Sequence, residues 1–218
     1  MAKLSSSRKP RCRHARKYRD LTISGIKTVA LTTKARNGNP PGQHGVNRKK
    51  NSDYSVMLAE KQKVRLIYGN IKEHQFHRLF EKAAQMKGQT SLNLLQLLET
   101  RLVNIVYRAG FAATMAEAKQ LVAHRAITVC APGKEFHVVD CPSYSVTPGS
   151  IVQVREKARA QTRILNAMSA HHDQGDVAAN EWLKIDHASF QVEVSHLPDR
   201  DQLPQNINEN LIIELYSK

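Results

Sequence analysis

The first fifty residues carry fourteen Lys or Arg against a single acid, Asp20, and this asymmetry limits where a core can form. The opening stretch from Ser5 to Arg19 is too charged to pack against itself, so it is expected to take its order from a partner. The other 168 residues are nearly balanced, with nineteen basic and eighteen acidic side chains, and they must supply the fold. Within them, residues 164–218 hold three basic and nine acidic groups, so the chain ends acidic. A net charge of +14 calls for a polyanionic partner.

Nucleic acid and anionic membrane both suit a basic arm. The chain has no run of about eighteen apolar residues and no apolar signal core at its start. Residues 3–20 offer only Leu4 and Tyr18 to an apolar face, so an amphipathic membrane helix is disfavoured and a cytoplasmic protein without membrane partners is expected. Cys12, Cys130 and Cys141 form no C-x-x-C pair, so neither a disulfide framework nor a structural metal site is indicated, and no cofactor is expected. Cys12 with His14, and His171-His172 near Asp173 and Asp176, are better read as residues of an arm and of a surface linker than as metal ligands.

Five Gly or Pro within Asn37–Gly45 exclude regular structure and predict a loop with a specific bend. Helical text follows. Ser52 and Asp53 are cap residues ahead of Met57, Leu58, Val64 and Ile67, and Gly69-Asn70 is a stop. A second helix is predicted from about Ile71 to Lys87, with Phe76, Leu79, Phe80, Ala83 and Ala84 on one face, and the two helices are expected to pair antiparallel. Leu94, Leu98, Leu102, Ile105 and Val106 then share a face of one further helix closed by Gly110, with Arg101, Asn104 and Arg108 on another face. Thr114-Met-Ala-Glu117 is a capping box for the next helix. Beyond His124 the apolar period falls to two in Ile127–Val129, Phe136–Val138 and Ile151–Val154, which predicts a small sheet. Trp182 to Val194 and Leu211 to Tyr216 have enough apolar residues to fold against something, and the earlier helical pair is the expected partner.

The text from Leu94 to Phe111 and from Ala116 to His124 closely resembles an RNA-binding module found in bacterial ribosomal protein S4 and in several RNA-modifying enzymes. Three further matches, Pro41-Gly-Gln-His-Gly45, Ser52-Asp-Tyr54 leading to Glu60–Arg65, and Asn208–Lys218, lie in the same order and resemble the S4 family itself. The resemblance implies an α+β fold with a basic extended arm and loop (1–50). It also implies a discontinuous, mainly helical domain (51–92 plus 171–218) and an inserted module of two helices on a small β-sheet (93–170). As function it implies a structural constituent of the small ribosomal subunit, early in assembly, that binds 16S rRNA at a multi-helix junction. Proteins S5 and S3 would be its neighbours, and it would lie near messenger RNA where that strand enters, with a bearing on translational accuracy. The family's usual opening motif is missing. Some relatives carry four clustered cysteines for zinc where this chain has Cys12 alone, so a divergent, zinc-free member is expected. The stretch Thr128–His137 also makes a longer first hairpin loop than relatives have.

An RNA duplex hides its base edges, so a protein grips it by phosphate, 2′-hydroxyl and shape. Arg101 and Arg108 on one helix, with Lys119, His124 and Arg125 at the next helix and its exit, would form a rigid charged frame for this. Arg8, Lys9, Arg11, Arg13, Arg16, Lys17 and Arg19 would thread between RNA helices. The bent loop brings Gln43 and His44 to the RNA, and Arg48, Lys49, Lys50, Tyr54, Lys61, Lys63 and Arg65 complete the candidate contacts. The rival class is an RNA-modifying enzyme, which would need a separate catalytic domain for which no residues are left, so an enzyme is not expected. A free RNA chaperone is the third reading.

Overall fold

In a computed structural model the described residues are 17–18, 39–43, 45, 50–173 and 181–217. Helix α1 (Asp53–Ile67) starts where the Ser52 side chain accepts a hydrogen bond from the Ser55 amide at 3.3 Å. It stops at a reversal in which Gly69 and Asn70 take positive φ and the Ile71 amide donates back to the Arg65 carbonyl at 3.2 Å. Helix α2 (Glu73–Gln85) buries Phe76 and Ala83, and α3 (Thr90–Glu99) buries Leu94, Leu95 and Leu98. The expected α1–α2 pair is not the main contact. Instead α2 packs chiefly on α3, while α1 packs on α8 (Glu209–Ser217), whose Ile212 is fully buried. The expectation that Leu211–Tyr216 packs on the helical pair is met, and α8 takes the place beside α1 that α2 was expected to fill.

The continuous apolar face from Leu94 to Val106 conceals a break. After α3, Thr100 has ψ near 0° and Arg101 is extended (φ −67°, ψ 136°), and only then does α4 (Leu102–Arg108) begin. The Thr100 hydroxyl bonds back to the Gln96 carbonyl at 2.9 Å, a local alternative to helix continuation. A strap from Cys141 to Val146 holds the break open. The Leu102 amide donates to the Tyr144 carbonyl at 2.8 Å, and the Val146 amide to the Thr100 carbonyl at 2.9 Å. First-turn amides of α4 that would have no partner inside the helix are thereby satisfied.

Helix α5 (Met115–Ala123) has the expected Thr114 cap, its Oγ1 accepting from the Glu117 amide at 3.2 Å, but the return bond of the expected box shifts by one residue, the Glu117 carboxylate accepting from the Ala113 amide at 3.1 Å. Strands β1 (Ile127–Cys130), β2 (His137–Val138) and β3 (Ile151–Val154) follow, then α6 (Glu156–Arg159) and α7 (Thr162–Asp173). Strands β4 (Leu183–Asp186) and β5 (Gln191–Val194) complete one antiparallel sheet in the order β2-β1-β3-β5-β4. The segment from Trp182 to Val194 therefore joins the sheet and not the helices where it was expected. Its period-two apolar residues explain this, because Val192 pairs with Val152 and Ile185 with Val192, placing one row of side chains on the core face.

Among the described residues, most buried apolar side chains fall into two clusters. One joins α1, α2, α3 and α8 with Leu203 and Ile207; the other runs from Leu102 to Val194 and includes Trp182 and Phe111 at full burial. Each fully buried Leu, Ile or Phe contributes roughly 1.5–3 kcal/mol, so each cluster can hold its own elements together. The boundary between the clusters is the α3–α4 break.

Candidate nucleic-acid interface

At the exit of α5 the chain turns sharply into β1. Arg125 makes the turn with φ +59°, its amide donating to the Val122 carbonyl at 2.9 Å and the Ala126 amide to the Leu121 carbonyl at 3.0 Å. The turn leaves His124 and Arg125 exposed, next to exposed Lys119 on the last turns of α5. Because Ile127 pairs with Val154, the start of β1 lies beside the end of β3. That pairing brings in Arg155, whose amide donates to the Ala126 carbonyl at 2.9 Å and whose Nη1 donates to the Arg125 carbonyl at 3.1 Å. Lys157 is exposed on α6, and Arg159 lies over the Phe190 ring at 5.5 Å while its Nε donates to the Val154 carbonyl at 3.1 Å.

The rim so formed holds Arg125, Arg155, Lys157 and Arg159 with Asp140 and Glu156 as its acids. Arg125 pairs with Asp140 at 3.0 Å, and the two side chains are 69% and 55% exposed, so water screens the pair and a phosphate can replace the carboxylate. Sequence reasoning missed Arg155, Lys157 and Arg159. The signal was there as three basic residues in five directly after an apolar strand, but only the β1–β3 pairing shows that they meet Arg125.

Arg101 and Arg108 differ in a way their spacing hid. The break at Thr100–Arg101 removes them from a common helical face. Arg108 reaches Glu99, with its Nε 2.6 Å from Oε2 and its Nη2 on Oε1, while the Tyr68 hydroxyl donates to Oε1 at 2.8 Å. Glu99 is fully buried. Burial lowers the Arg108 pKa, but the Glu99 carboxylate more than reverses this, so the guanidinium is held above its usual value. Burial, and then Glu99, push the Tyr68 hydroxyl well above its own. Arg108, expected to face RNA, is thus part of the protein's interior.

Arg101 is only 8% exposed, yet its Nε has no hydrogen-bond partner among the described residues. Burial pulls its pKa below the usual value, opposed by Cys141 alone. The backbone fixes it there, because Arg101 bridges to Ser145 in the strap. A buried guanidinium without a carboxylate is costly until an anion arrives. Phosphate oxygens suit its planar fork.

Lys61, Lys63 and Arg65 are also held inward, with side chains 12–14% exposed. Lys61 pairs with Glu73 at 2.8 Å and lies over the Tyr216 ring. Lys63 bonds Glu60 at 3.3 Å and the Asn206 carbonyl. Arg65 donates to Glu73 at 2.9 Å and to the Ile71 carbonyl at 2.7 Å. These expected RNA contacts brace α1 against α2 and α8 instead. Lys17, Gln43, Lys50 and Tyr54 are exposed. Arg8, Lys9, Arg11, Arg13, Arg16, Arg19, His44, Arg48 and Lys49 lie outside the described residues, as do Cys12 and His14. In the bent loop the Gly45 amide donates to the Gly42 carbonyl at 3.2 Å, and a Cβ on Gly45 would fall 2.0 Å from the Pro40 carbonyl oxygen, so only glycine fits there.

Residues 6–99 match the ribosomal protein S4/S9 N-terminal domain and residues 100–129 match the S4 domain, so the two matches meet at the α3–α4 break. Small ribosomal subunit protein uS4 of Psychrobacter cryohalolentis is 47% identical over 196 residues, which is 89% of this chain and 90% of the relative. The uS4 proteins of Marinobacter nauticus and Parabacteroides distasonis are each 46% identical over 211 residues, 96% of this chain and 97% of theirs. With that identity over nearly its whole length, the chain belongs to the small ribosomal subunit protein uS4 family.

Proposed function

We propose that the chain is a structural constituent of the small ribosomal subunit, bound in the cytoplasm to 16S rRNA at a multi-helix junction early in assembly. As a member of a ribosomal-protein family it is not an enzyme. The observation that carries the RNA reading is Arg101, a buried guanidinium with no carboxylate partner among the described residues. Beside it we assign RNA contacts to Lys119, His124, Arg125, Arg155, Lys157 and Arg159, with Tyr54 on the other unit, and the basic leader and loop, which include Lys17, Gln43 and Lys50, as a third contact. Arg8 to Arg19, His44, Arg48 and Lys49 remain in that leader and loop assignment on charge and resemblance.

The two units that grip the RNA are residues 51–99 with 200–217, and residues 100–195. Contacts with proteins S5 and S3, a position near incoming messenger RNA and an influence on translational accuracy belong to the same reading and rest on family membership. Binding of small-subunit rRNA should weaken steeply with salt, as counterion release requires. Arg101→Met should lower affinity at every salt concentration and reduce the slope of log K against log salt by about one. An unchanged slope and affinity would remove Arg101 from the interface.

A further inference from the structure

We infer that Glu99 is a positioning residue for RNA binding: with Arg108 and Tyr68 it clamps the angle between the two apolar units, so that their separate RNA-facing surfaces meet one RNA together. This rests on the reading that both units contact RNA.

The geometry is that of a joint. Glu99 is the last residue of α3 and belongs to the helical unit, and Arg108 is the last residue of α4 and belongs to the sheet unit. Between them lies the extended Arg101, whose carbonyl caps α4 but which interrupts the ladder from α3, the Leu102 and Val103 amides turning to the Tyr144 and Pro142 carbonyls of the strap. Main packing contacts elsewhere fall within one unit or the other, and the consecutive helices α3 and α4 carry the junction. Across it run Asn104 Nδ2 to the Leu98 carbonyl, the Gln202 side-chain amide to the Glu181 carboxylate at 3.5 Å, and the apposition of Gly69 to Met115. Of the links that cross it, the Glu99 carboxylate alone receives two donors from outside its own helix, the Arg108 fork and the Tyr68 hydroxyl at the end of α1.

A forked guanidinium fixes direction as well as distance, whereas apolar packing at the same place would allow rotation. The ionic arrangement therefore specifies orientation more than it adds stability. Orientation matters because Tyr54 and Lys50 lie at the start of α1 while Arg101, Arg125 and Arg155 lie beyond the joint. If the angle drifts, one RNA cannot reach both, and the second contact loses its effective concentration.

The test replaces the clamp by apolar groups of similar length, Glu99→Met with Arg108→Met, in the full chain. Spin labels at Gln85→Cys on α2 and Gln120→Cys on α5 report the angle, with the three native cysteines changed to Ser. Wild type should give one narrow distance distribution without RNA, and the double variant a broad one. The double variant, equally resistant to urea, should bind small-subunit rRNA about tenfold more weakly. A narrow distribution in the variant, or a broad one with affinity within twofold of wild type, overturns the inference. If the double variant does not fold, Arg108→Lys keeps the charge but loses the fork. It should broaden the distribution and weaken binding severalfold, and an absence of either change overturns the inference as well. Failure of the wild type itself to bind would instead overturn the RNA reading on which the inference stands.

Discussion

Arg108→Met removes one partner of a buried ion pair and leaves the other behind. Glu99 has no exposed surface, and its remaining described donor is the Tyr68 hydroxyl, itself buried. Stranding a carboxylate in this way costs about 3–5 kcal/mol, because it must be protonated or drag water into the core. With an urea m-value of roughly 2 kcal/mol per molar, the midpoint should fall by about 1.5–2.5 M. Trp182 is the sole tryptophan and is fully buried in the sheet unit, so its fluorescence reports loss of that core, and far-UV circular dichroism follows the helices. The matching change at the other arginine should behave in the opposite way. Arg101→Met removes a buried cation that has no described partner, so stability should hold or rise slightly even as RNA binding falls. A loss below about 1 kcal/mol for Arg108→Met, or a loss above about 3 kcal/mol for Arg101→Met, would refute the assignment of one arginine to the fold and the other to the ligand.

Arg155→Ala with Arg159→Ala should flatten the salt dependence of rRNA binding by about two in log–log slope, measured by filter binding, with the folded state retained. Gly45→Ala should disrupt the bend at Pro40–Gly45, since the methyl has no room beside the Pro40 oxygen, and binding should fall without a change in the urea midpoint of the Trp182 signal. Burial raises the Glu73 pKa, but hydrogen bonds from Lys61 and Tyr216 and the charges of Lys61 and Arg65 outweigh it, so the net shift is downward. Its stabilising effect is thus present above its ordinary value of 4.5 and lost as pH falls through the lower folded value. Urea midpoints of wild type and Glu73→Gln should therefore differ at pH 7 and converge toward pH 3.

What could be read from the sequence was what local chemistry decides. Ser52 and Thr114 as caps, Gly69 as a stop and the three short strands from Ile127 to Val154 all appear where period and composition place them. Long-range partners were the hidden part. The Leu94–Val106 face stays in phase through Thr100, so only the strap hydrogen bonds to Leu102 and Val146 reveal the break. The packing of Leu211–Tyr216 on the helical region was legible in its apolar content, but that α8 and not α2 is the main partner of α1 was not, and β5 joins the sheet through β3, which no local pattern records. The candidate site suffered in the same way. Arg101 and Arg108 look alike at a spacing of seven, and their separation into an orphan and a clamped cation depends on Glu99 lying within reach of one only.

The most direct test of the account is a hydroxyl-radical footprint of the full chain on naked small-subunit rRNA. Protection should be confined to strands that converge on one multi-helix junction, and should weaken there when Arg101 is replaced by Met. Protection scattered along the RNA without a common junction, or none at moderate salt, would contradict it.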